Sequence, residues 1–274
     1  MDHDLLTTRN TDLYPPERNN FYYGKLMTEH SFRQETHYFM HLRRLHNRLV
    51  SGYGVVTGLD VIPGPGESSV VITRGLAVDR WGREIIVPTN TPPIPIPAET
   101  VIQAQEEGYV ITEESAQRGK QEHRYEGAVW GHVVICYHEC LTDPAPVLAG
   151  ECPTPGACEP GTILERFRVE LRPGSVDYDT YLELPNPDVI VNARLNYEDL
   201  VELVTRGSLE DYLELPDDPC IPLANVLVAP PEEGEKPRIL EIDITIRPLV
   251  YTNDLLFDVF LSLLLDMPRT RRGK

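Results

Sequence analysis

The sequence is poor in positive charge for its length. Its 274 residues include 25 Lys and Arg against 43 Asp and Glu, which gives a net charge of −18 at pH 7. A surface with this balance repels phosphate backbones and has no general attraction to anionic lipid. We therefore expect no nucleic-acid partner.

Long hydrophobic runs are absent as well. The longest uncharged apolar stretch near the end, residues 259–265, is far shorter than the roughly 20 residues that a membrane-spanning helix needs. Met1 is followed by Asp2, His3 and Asp4, which is unlike the basic and then apolar start of a secretory leader. These features predict no direct membrane insertion, and synthesis and folding in the cytosol.

Two common catalytic motifs are missing. The sequence has no glycine-rich phosphate loop followed by Lys, and no Gly-x-Ser-x-Gly elbow. Carboxylates are so abundant that pairs such as Asp79 with Glu84, or Glu139 with Asp143, have no diagnostic value, and we interpret them as solvated surface. We assign no catalytic residue and no cofactor, and we predict that the protein is not an enzyme.

Cysteine is scarce, and its number is odd. Five Cys argue against a complete disulfide framework and favour reduced thiols or a metal site. Cys136, His138 and Cys140 alternate along a predicted strand and share one face, and Cys152 and Cys158 follow. Because these spacings are not the Cys-x-x-Cys pairs of structural zinc sites, the pattern leaves open a structural Zn²⁺, a Cys152–Cys158 disulfide or free thiols.

The chain does contain a long amphipathic segment near its start. Thr28 or Ser31 is a suitable N-cap, Ser31 with Gln34 matches a capping box, and Gly52 is a suitable stop, so a helix is predicted over residues 29–50. Arg residues flank one apolar stripe, which consists of Phe32, Phe39, Leu42, Leu45 and Leu49. We expect this helix to pack on one side only.

Two histidines of the predicted helix, His37 and His41, lie one turn apart. This spacing lets two imidazoles share a metal ion, but no third ligand is evident in the sequence. We interpret both residues as part of a polar edge that is solvated or faces an interface.

From residue 53 the apolar residues recur with the period of two that is typical of strands. Short apolar runs separated by Gly and Pro predict a mainly antiparallel β domain of sandwich or barrel type. The runs lie at residues 55–61, 70–72, 76–78, 84–87, 128–137, 163–171, 221–228 and 239–246. The predicted fold class is α+β, with the amphipathic helix at the N-terminal end and an apolar helix, residues 253–266, at the C-terminal end.

The pattern divides the chain into five segments. They are an extended arm (1–27), the amphipathic helix (28–52), the β domain (53–173), an acidic insertion (174–218), and closing strands with the C-terminal helix (219–274). Residues 1–60 contain equal numbers of acidic and basic side chains, so the whole net charge of −18 lies beyond them. The first 60 residues are therefore expected to present a different surface from the rest.

Both ends of the chain are rich in aromatic and apolar side chains. The C-terminal helix is apolar almost all round and needs burial on every face, either on its own β domain or on a second chain. Aromatic residues and Arg are enriched at the centres of protein interfaces. The predicted interface residues are Phe21, Tyr22, Tyr23, Lys25, Leu26, Arg247, Tyr251, Phe257 and Phe260. For Arg247, an ion pair with Asp243 or Asp254 inside the chain is the alternative.

Several stretches resemble a family of proteins encoded with phage-tail-like extracellular contractile injection systems. The stretches are residues 21–28 (FYYGKLMT), 43–49 (RRLHNRL), 52–59 (GYGVVTGL), 75–79 (GLAVD), 82–85 (GREI), 220–224 (CIPLA) and 246–256 (IRPLVYTNDLL). The resemblance covers most of the chain except the regions near residues 98–125 and 174–218.

This resemblance implies a structural component of the contractile particle, near its baseplate, surrounding cage or spike. Its partners would be other particle subunits and copies of itself. The particle would be assembled after cytoplasmic synthesis and would then be released or anchored at a membrane. A zinc-stabilised binding module and a Cys/His-dependent hydrolase are the alternatives.

Overall fold

The computed structural model describes residues 15–111, 127–146, 158–177, 190–191, 194–195, 201, 215–230 and 236–266. The α-helices in this part of the chain are α1 (Glu29–His46), α2 (Ala98–Glu106) and α3 (Asn253–Asp266). A π-helical turn, Asn47–Ser51, continues α1, and a short 3₁₀ turn spans Pro65–Glu67. No helix among the described residues is long and apolar enough to cross a membrane.

The strands are short in the first half of the chain and longer in the second. They are β1 (Gly54–Gly58), β2 (Val61–Pro63), β3 (Ser69–Ile72), β4 (Gly75–Val78), β5 (Glu84–Val87), β6 (Ile94–Pro95), β7 (Val129–Pro146), β8 (Cys158–Pro173), β9 (Ile190–Val191), β10 (Arg194–Leu195), β11 (Ile221–Ala229) and β12 (Arg238–Asp243).

All of these strands pair antiparallel. Three-stranded sheets have the orders β1-β4-β5 and β2-β3-β6, the largest sheet has the order β12-β11-β7-β8, and β9 pairs with β10. The predicted mainly antiparallel architecture and the N-terminal helix are confirmed. The closing strands β11 and β12 belong to the same sheet as β7 and β8, because β11 lies between β7 and β12.

The core includes most of β11, which lies inside the largest sheet between β7 and β12. Eight of its nine residues are buried, which fits its nearly continuous apolar sequence IPLANVLVA. One buried residue of β11, Asn225, is polar. Its side-chain amide accepts a hydrogen bond from Val176 N and donates one to Val176 O, each at 2.9 Å. Since both polar atoms are satisfied, Asn225 is tolerated in the core.

α1 begins as predicted but is oriented differently from the prediction. Thr28 is its N-cap, while Ser31 lies inside the first turn, so the predicted capping box at Ser31 is wrong. Ser31 is also the only buried residue of this helix, whose residues are all described. The apolar stripe is therefore only partly covered by the rest of the described chain: Leu42 and Leu45 are half-buried, whereas Phe32 and Phe39 are each 61% exposed.

Candidate functional site

A groove of about 800 Å³ lies between α1, the β4–β5 turn and the wall formed by β7. α1 contributes polar residues to it, among them His37, His41, Arg44 and Arg48. Residues three, four and seven positions apart share one face of a helix, so this set is one polar face. α1 thus presents these polar residues to the groove together with Tyr38, Met40 and Leu45, and leaves Phe32 and Phe39 exposed.

The end of α1 is attached to the β4–β5 turn by side-chain contacts. The Asn47 amide donates to Gly82 O at 3.0 Å and to Glu84 Oε1 at 2.9 Å, and Arg43 Nε lies 3.1 Å from the same Glu84 oxygen. Gly82 has a φ of 79°, and a Cβ atom at this position would lie 2.2 Å from Arg44 O. The helix therefore rests directly on the backbone of the turn.

The turn itself is organised by Asp79. This carboxylate is fully buried and accepts from Trp81 N at 2.9 Å, Arg83 N at 2.8 Å and Arg83 Nε at 2.6 Å. Burial raises the pKa of Asp79, and the charge and hydrogen bonds of Arg83 offset part of this effect. The interpretation of Asp79 as solvated surface is wrong, because its short side chain closes the turn from the inside.

Arg83 forms the floor of the groove together with two aromatic rings. Its guanidinium lies 4.5 Å from the ring centre of Trp81 and 4.5 Å from that of Tyr137. Trp81 Nε1 donates to Pro216 O at 2.9 Å, which attaches the turn to the segment before β11. Tyr137 donates to Glu139 Oε1 at 2.9 Å, and burial together with this carboxylate raises the pKa of Tyr137.

Two arginines of the groove have incomplete polar contacts. Arg48 makes no ion pair with a described residue, and burial lowers the pKa of its guanidinium. The Nε atoms of Arg44 and Arg48 are buried without a hydrogen-bond acceptor in the described part of the chain. Arg44 lies 3.9 Å from Glu139 through its Nη2 atom, which is a long ion pair. The groove, whose lining also includes Glu17, Glu29 and Glu139, therefore has two buried guanidinium donors without an acceptor among the described residues.

In the predicted Cys/His strand, Cys136 has a partner that the sequence pattern does not indicate. Cys136 forms a disulfide with Cys220, with a Cα–Cα distance of 4.5 Å, so the preference for reduced thiols or a metal is wrong for this residue. Cys140 and Cys158 are free, and Cys152 lies outside the described residues. Within the described ranges no three His, Cys, Asp or Glu side chains come together as a metal site, and that includes His37 and His41.

Arg172 lies beside the disulfide. Its Nη2 atom is 3.5 Å from Cys220 Sγ and 3.9 Å from Cys136 Sγ, and the guanidinium forms ion pairs with Asp218 and Glu170. Partial burial opposes ionisation of Asp218, but the hydrogen bonds and charge of Arg172 outweigh it and lower the pKa of this carboxyl. This cluster attaches the segment before β11 to β8.

The predicted interface residues of the arm are exposed. Tyr23 is fully exposed and Leu26 is 82% exposed, and Phe21 and Tyr22 are also open to solvent. Lys25 folds back within the arm, where its Nζ atom donates to Asn19 Oδ1 and to Asn20 O. The arm therefore presents aromatic side chains on a locally ordered turn.

The predicted interface residues near the C-terminal end divide into two groups. Phe257 and Phe260 are 61% and 58% exposed on α3, and Tyr251 is about half exposed. Arg247, in contrast, is buried, donates through Nε to Leu223 O at 3.0 Å and lies 3.8 Å from Asp60. It pairs with neither Asp243 nor Asp254, and it holds the chain together internally instead of presenting an exposed contact.

No protein-family model and no curated protein matches the sequence. Among solved structures, a similar chain comes from the baseplate complex from the type VI secretion system. The sequence identity is 11%, the match covers 95% of this chain and 72% of that chain, and the TM-score is 0.37. A TM-score this low carries no conclusion about function.

The structure brings together residues that the sequence did not connect. His37, His41 and His138 line the same groove, although the sequence pattern groups His138 with the cysteines. No local sequence pattern indicates Arg83 and Tyr137, which form its floor, since 54 residues separate them in the sequence and only tertiary folding makes them neighbours.

Proposed function

We propose that this protein is a structural subunit of a phage-tail-like contractile injection particle, in the region of its baseplate, cage or spike. It acts by assembling with other particle subunits and with copies of itself, and not by catalysis. Assembly follows synthesis in the cytoplasm, and the finished particle is released or anchored at a membrane. The resemblance of seven sequence stretches to proteins of such systems supports this assignment.

The observation that carries the proposal is the outward face of α1. A surface helix normally turns its apolar stripe toward its own core. Here Asn47 and Arg43 hold the end of the helix against the β4–β5 turn, while Phe32 and Phe39 remain 61% exposed. Burying the exposed part of each ring against a second chain would contribute roughly 1–2 kcal/mol.

A second apolar surface supports the same function. α3 exposes Phe257 and Phe260, and the arm exposes Tyr22 and Tyr23, so apolar contacts are available at both ends of the described chain. Aromatic anchors of this kind dominate the energy of protein interfaces. Assembly uses all of these side chains without requiring a substrate.

The test is incorporation into the particle. Contractile particles would be sedimented from the organism that encodes the chain, and the protein in the pellet would be measured by immunoblot. We expect deletion of residues 1–27 and the double change Phe32→Ser/Phe39→Ser each to remove the protein from the pellet. Glu99→Ser, at an exposed position of α2, is the matched control and should leave incorporation unchanged.

The variants would also be checked for folding by circular dichroism. A folded variant that is incorporated as well as the wild type would contradict the assigned role of its surface. Absence of the wild-type protein from sedimented particles would overturn the proposed function itself.

A further inference from the structure

The Cys136–Cys220 disulfide lies where the pairing of β7 with β11 ends. Ile221, the first residue of β11, pairs with Ile135, and in this antiparallel register Cys220 falls opposite Cys136 on the next rung. Ile135 and Ile221 are both fully buried, so the two strands are held together by their own packing up to this rung. The disulfide therefore constrains chiefly the segment before β11, residues 215–220.

This segment lies against the β4–β5 turn. Pro216 O accepts a hydrogen bond from Trp81 Nε1 at 2.9 Å, and Pro219 O accepts one from Arg80 N at 3.3 Å. Both bonds join the segment to a turn that is more than 130 residues away in the sequence. The segment also reaches the α1 groove, because Leu215 belongs to its lining.

Few other contacts hold the segment in place. Asp218 forms an ion pair with Arg172 of β8, and about half of the Asp218 side chain is exposed. Ion pairs and hydrogen bonds that are open to solvent each contribute little to stability. The covalent bond is therefore the main constraint on the position of residues 215–220.

The turn that the segment contacts also supports the end of α1. Trp81 and Gly82 are consecutive: Trp81 is bound by the segment through Pro216, and Gly82 O accepts a hydrogen bond from Asn47 at 3.0 Å. A change in the position of residues 215–220 thus acts on the same turn on which the surface helix rests.

The two sulfur atoms differ in access. Cys136 is 4% exposed, whereas Cys220 is only half-buried, so Cys220 is the more accessible of the two to a thiol in solution. Arg172 Nη2 lies 3.9 Å from Cys136 Sγ and 3.5 Å from Cys220 Sγ. A guanidinium donor, which is shared with Glu170 and Asp218, therefore faces whichever sulfur is released as a thiolate.

We propose that the Cys136–Cys220 disulfide is a reversible redox latch. When oxidised it holds residues 215–220 against the β4–β5 turn, and when reduced it frees them without unfolding the main sheet. The reductant is a small thiol of the glutathione class. The latch acts within one chain and does not depend on the proposed assembly function.

Reduction takes place in two exchange steps. A first thiolate attacks Cys220 Sγ, which forms a mixed disulfide and releases the Cys136 thiolate. A second thiolate attacks the sulfur of the bound small thiol and releases the Cys220 thiolate. Two small thiols are thereby oxidised to one disulfide, and their protons go to the two protein thiolates. Oxidised glutathione reverses both steps.

The experiment equilibrates the purified full chain with reduced and oxidised glutathione at fixed ratios, without denaturant. Alkylation followed by mass spectrometry locates the free thiols, and hydrogen exchange is measured on the same samples. We expect reduced glutathione to open the bond in the folded protein and oxidised glutathione to restore it. Structural disulfides, in contrast, resist the glutathione couple.

Hydrogen exchange shows which parts of the chain are released. On reduction, exchange should rise about tenfold or more in residues 215–220 and at the amide of Arg80, which is bonded to Pro219 O in the closed state. Residues 131–135 of β7 and 221–228 of β11 should stay as protected as before, because their packing does not need the disulfide.

Two variants control this measurement. Cys136→Ser/Cys220→Ser should show the exchange pattern of the reduced wild type at every glutathione ratio. Cys140→Ser, which removes a free cysteine of the same strand, is the matched control and should respond as the wild type does. If the double variant fails to fold, the wild-type measurement decides the proposal by itself.

Three results would overturn the latch. They are a bond that reduced glutathione leaves intact in the folded protein, a reduced protein in which residues 215–220 exchange no faster, and a reduced protein in which β7 and β11 lose their protection as well. The first and third results would make the disulfide a structural link of the core. None of them affects incorporation into sedimented particles, so the proposed function is tested separately.

Discussion

At the scale of single residues, the position of Gly82 disfavours other residues for two reasons. Its φ of 79° disfavours any residue with a Cβ atom, and that atom would lie 2.2 Å from the carbonyl oxygen of Arg44. We expect Gly82→Ala to lower the free energy of unfolding by about 2–4 kcal/mol, measured by urea denaturation.

Gly108 is the matched control for this prediction. It has a similar φ of 85°, but an added Cβ would meet nothing within 4 Å. Gly108→Ala should therefore lose only about 1 kcal/mol, the conformational part of the effect. Equal losses at the two positions would show that α1 does not rest on the turn at Gly82.

Asp218 offers a prediction that depends on pH. Its pKa is lowered in the folded protein, so its contribution to stability is present above the pKa of the unfolded chain and is lost as the pH falls through the folded pKa. Because Asp218 is exposed and its pair with Arg172 is screened, we expect Asp218→Asn to cost only about 0.5–1 kcal/mol at pH 7.

Urea denaturation at pH 7 and pH 2.5 checks this prediction. The difference between the wild type and Asp218→Asn should shrink at the lower pH, where the carboxyl becomes protonated. A difference that is the same at both pH values would mean that the pair with Arg172 does not stabilise the fold.

Sequence patterns predict the surroundings of single side chains least well. The tight turn at residues 79–82 was predicted, but the burial of Asp79 depends on Arg83 folding back onto it, which composition does not reveal. Arg247 was interpreted as an interface residue because Arg is common in interfaces, whereas its partners Leu223 and Asp60 come from distant parts of the chain. Both differences arise because side-chain surroundings are set by tertiary contacts.

At the scale of elements, α1 is expected to contribute little to stability through its apolar face. Phe39→Ser changes an exposed residue and should alter the free energy of unfolding by less than about 0.5 kcal/mol. Ile85→Ala, at a fully buried position of β5, should lose about 2–5 kcal/mol. Thermal or urea denaturation of the isolated protein measures both.

The comparison of these two variants tests whether Phe39 of α1 belongs to the core of its own chain. If Phe39→Ser destabilised the isolated protein as much as Ile85→Ala, the phenylalanine would belong to the core of its own chain. The exposed face would then no longer support assembly.

The sequence predicts the helices and strands better than it predicts which surfaces they contact. Helical and strand periodicity located α1 and the strands of the main sheet, because these patterns are local. The same periodicity could not show which molecule covers the apolar face of α1, since a stripe that is buried within a chain and one that is buried between chains look alike. The length of β7 and β8 was also underestimated, because their outer halves are polar and lack a continuous apolar signal.

At the scale of the whole molecule, charge and apolar surface are separated along the chain. The first 60 residues are neutral overall and include the arm and α1, and the acidic excess lies in the remainder. In addition, the fold is closed by a covalent link between parts that are far apart in sequence. The Cys136–Cys220 disulfide joins β7 to the segment before β11 across 84 residues.

This link should contribute measurably to global stability. A disulfide that closes a long loop restricts the unfolded chain and typically stabilises a protein by about 2–5 kcal/mol. We expect unfolding of the wild type in urea to shift to lower denaturant when a dithiol such as dithiothreitol reduces the bond. The dithiol is oxidised to a cyclic disulfide as the protein disulfide becomes two thiols.

Two variants make this prediction specific. Cys136→Ser/Cys220→Ser should unfold at the midpoint of the reduced wild type and should not respond to the dithiol, whereas Cys140→Ser, which changes a free cysteine, should behave as the wild type.

The release of the segment before β11 should also loosen the contact of Trp81 with Pro216, since that segment is attached to β8 and β7 beside the disulfide. Tryptophan fluorescence that shifts on reduction of the wild type but not of the double variant would report this change. Equal midpoints with and without dithiol, in a protein that mass spectrometry shows to be fully reduced, would mean that the ion pairs of Arg172 hold the segment without the disulfide.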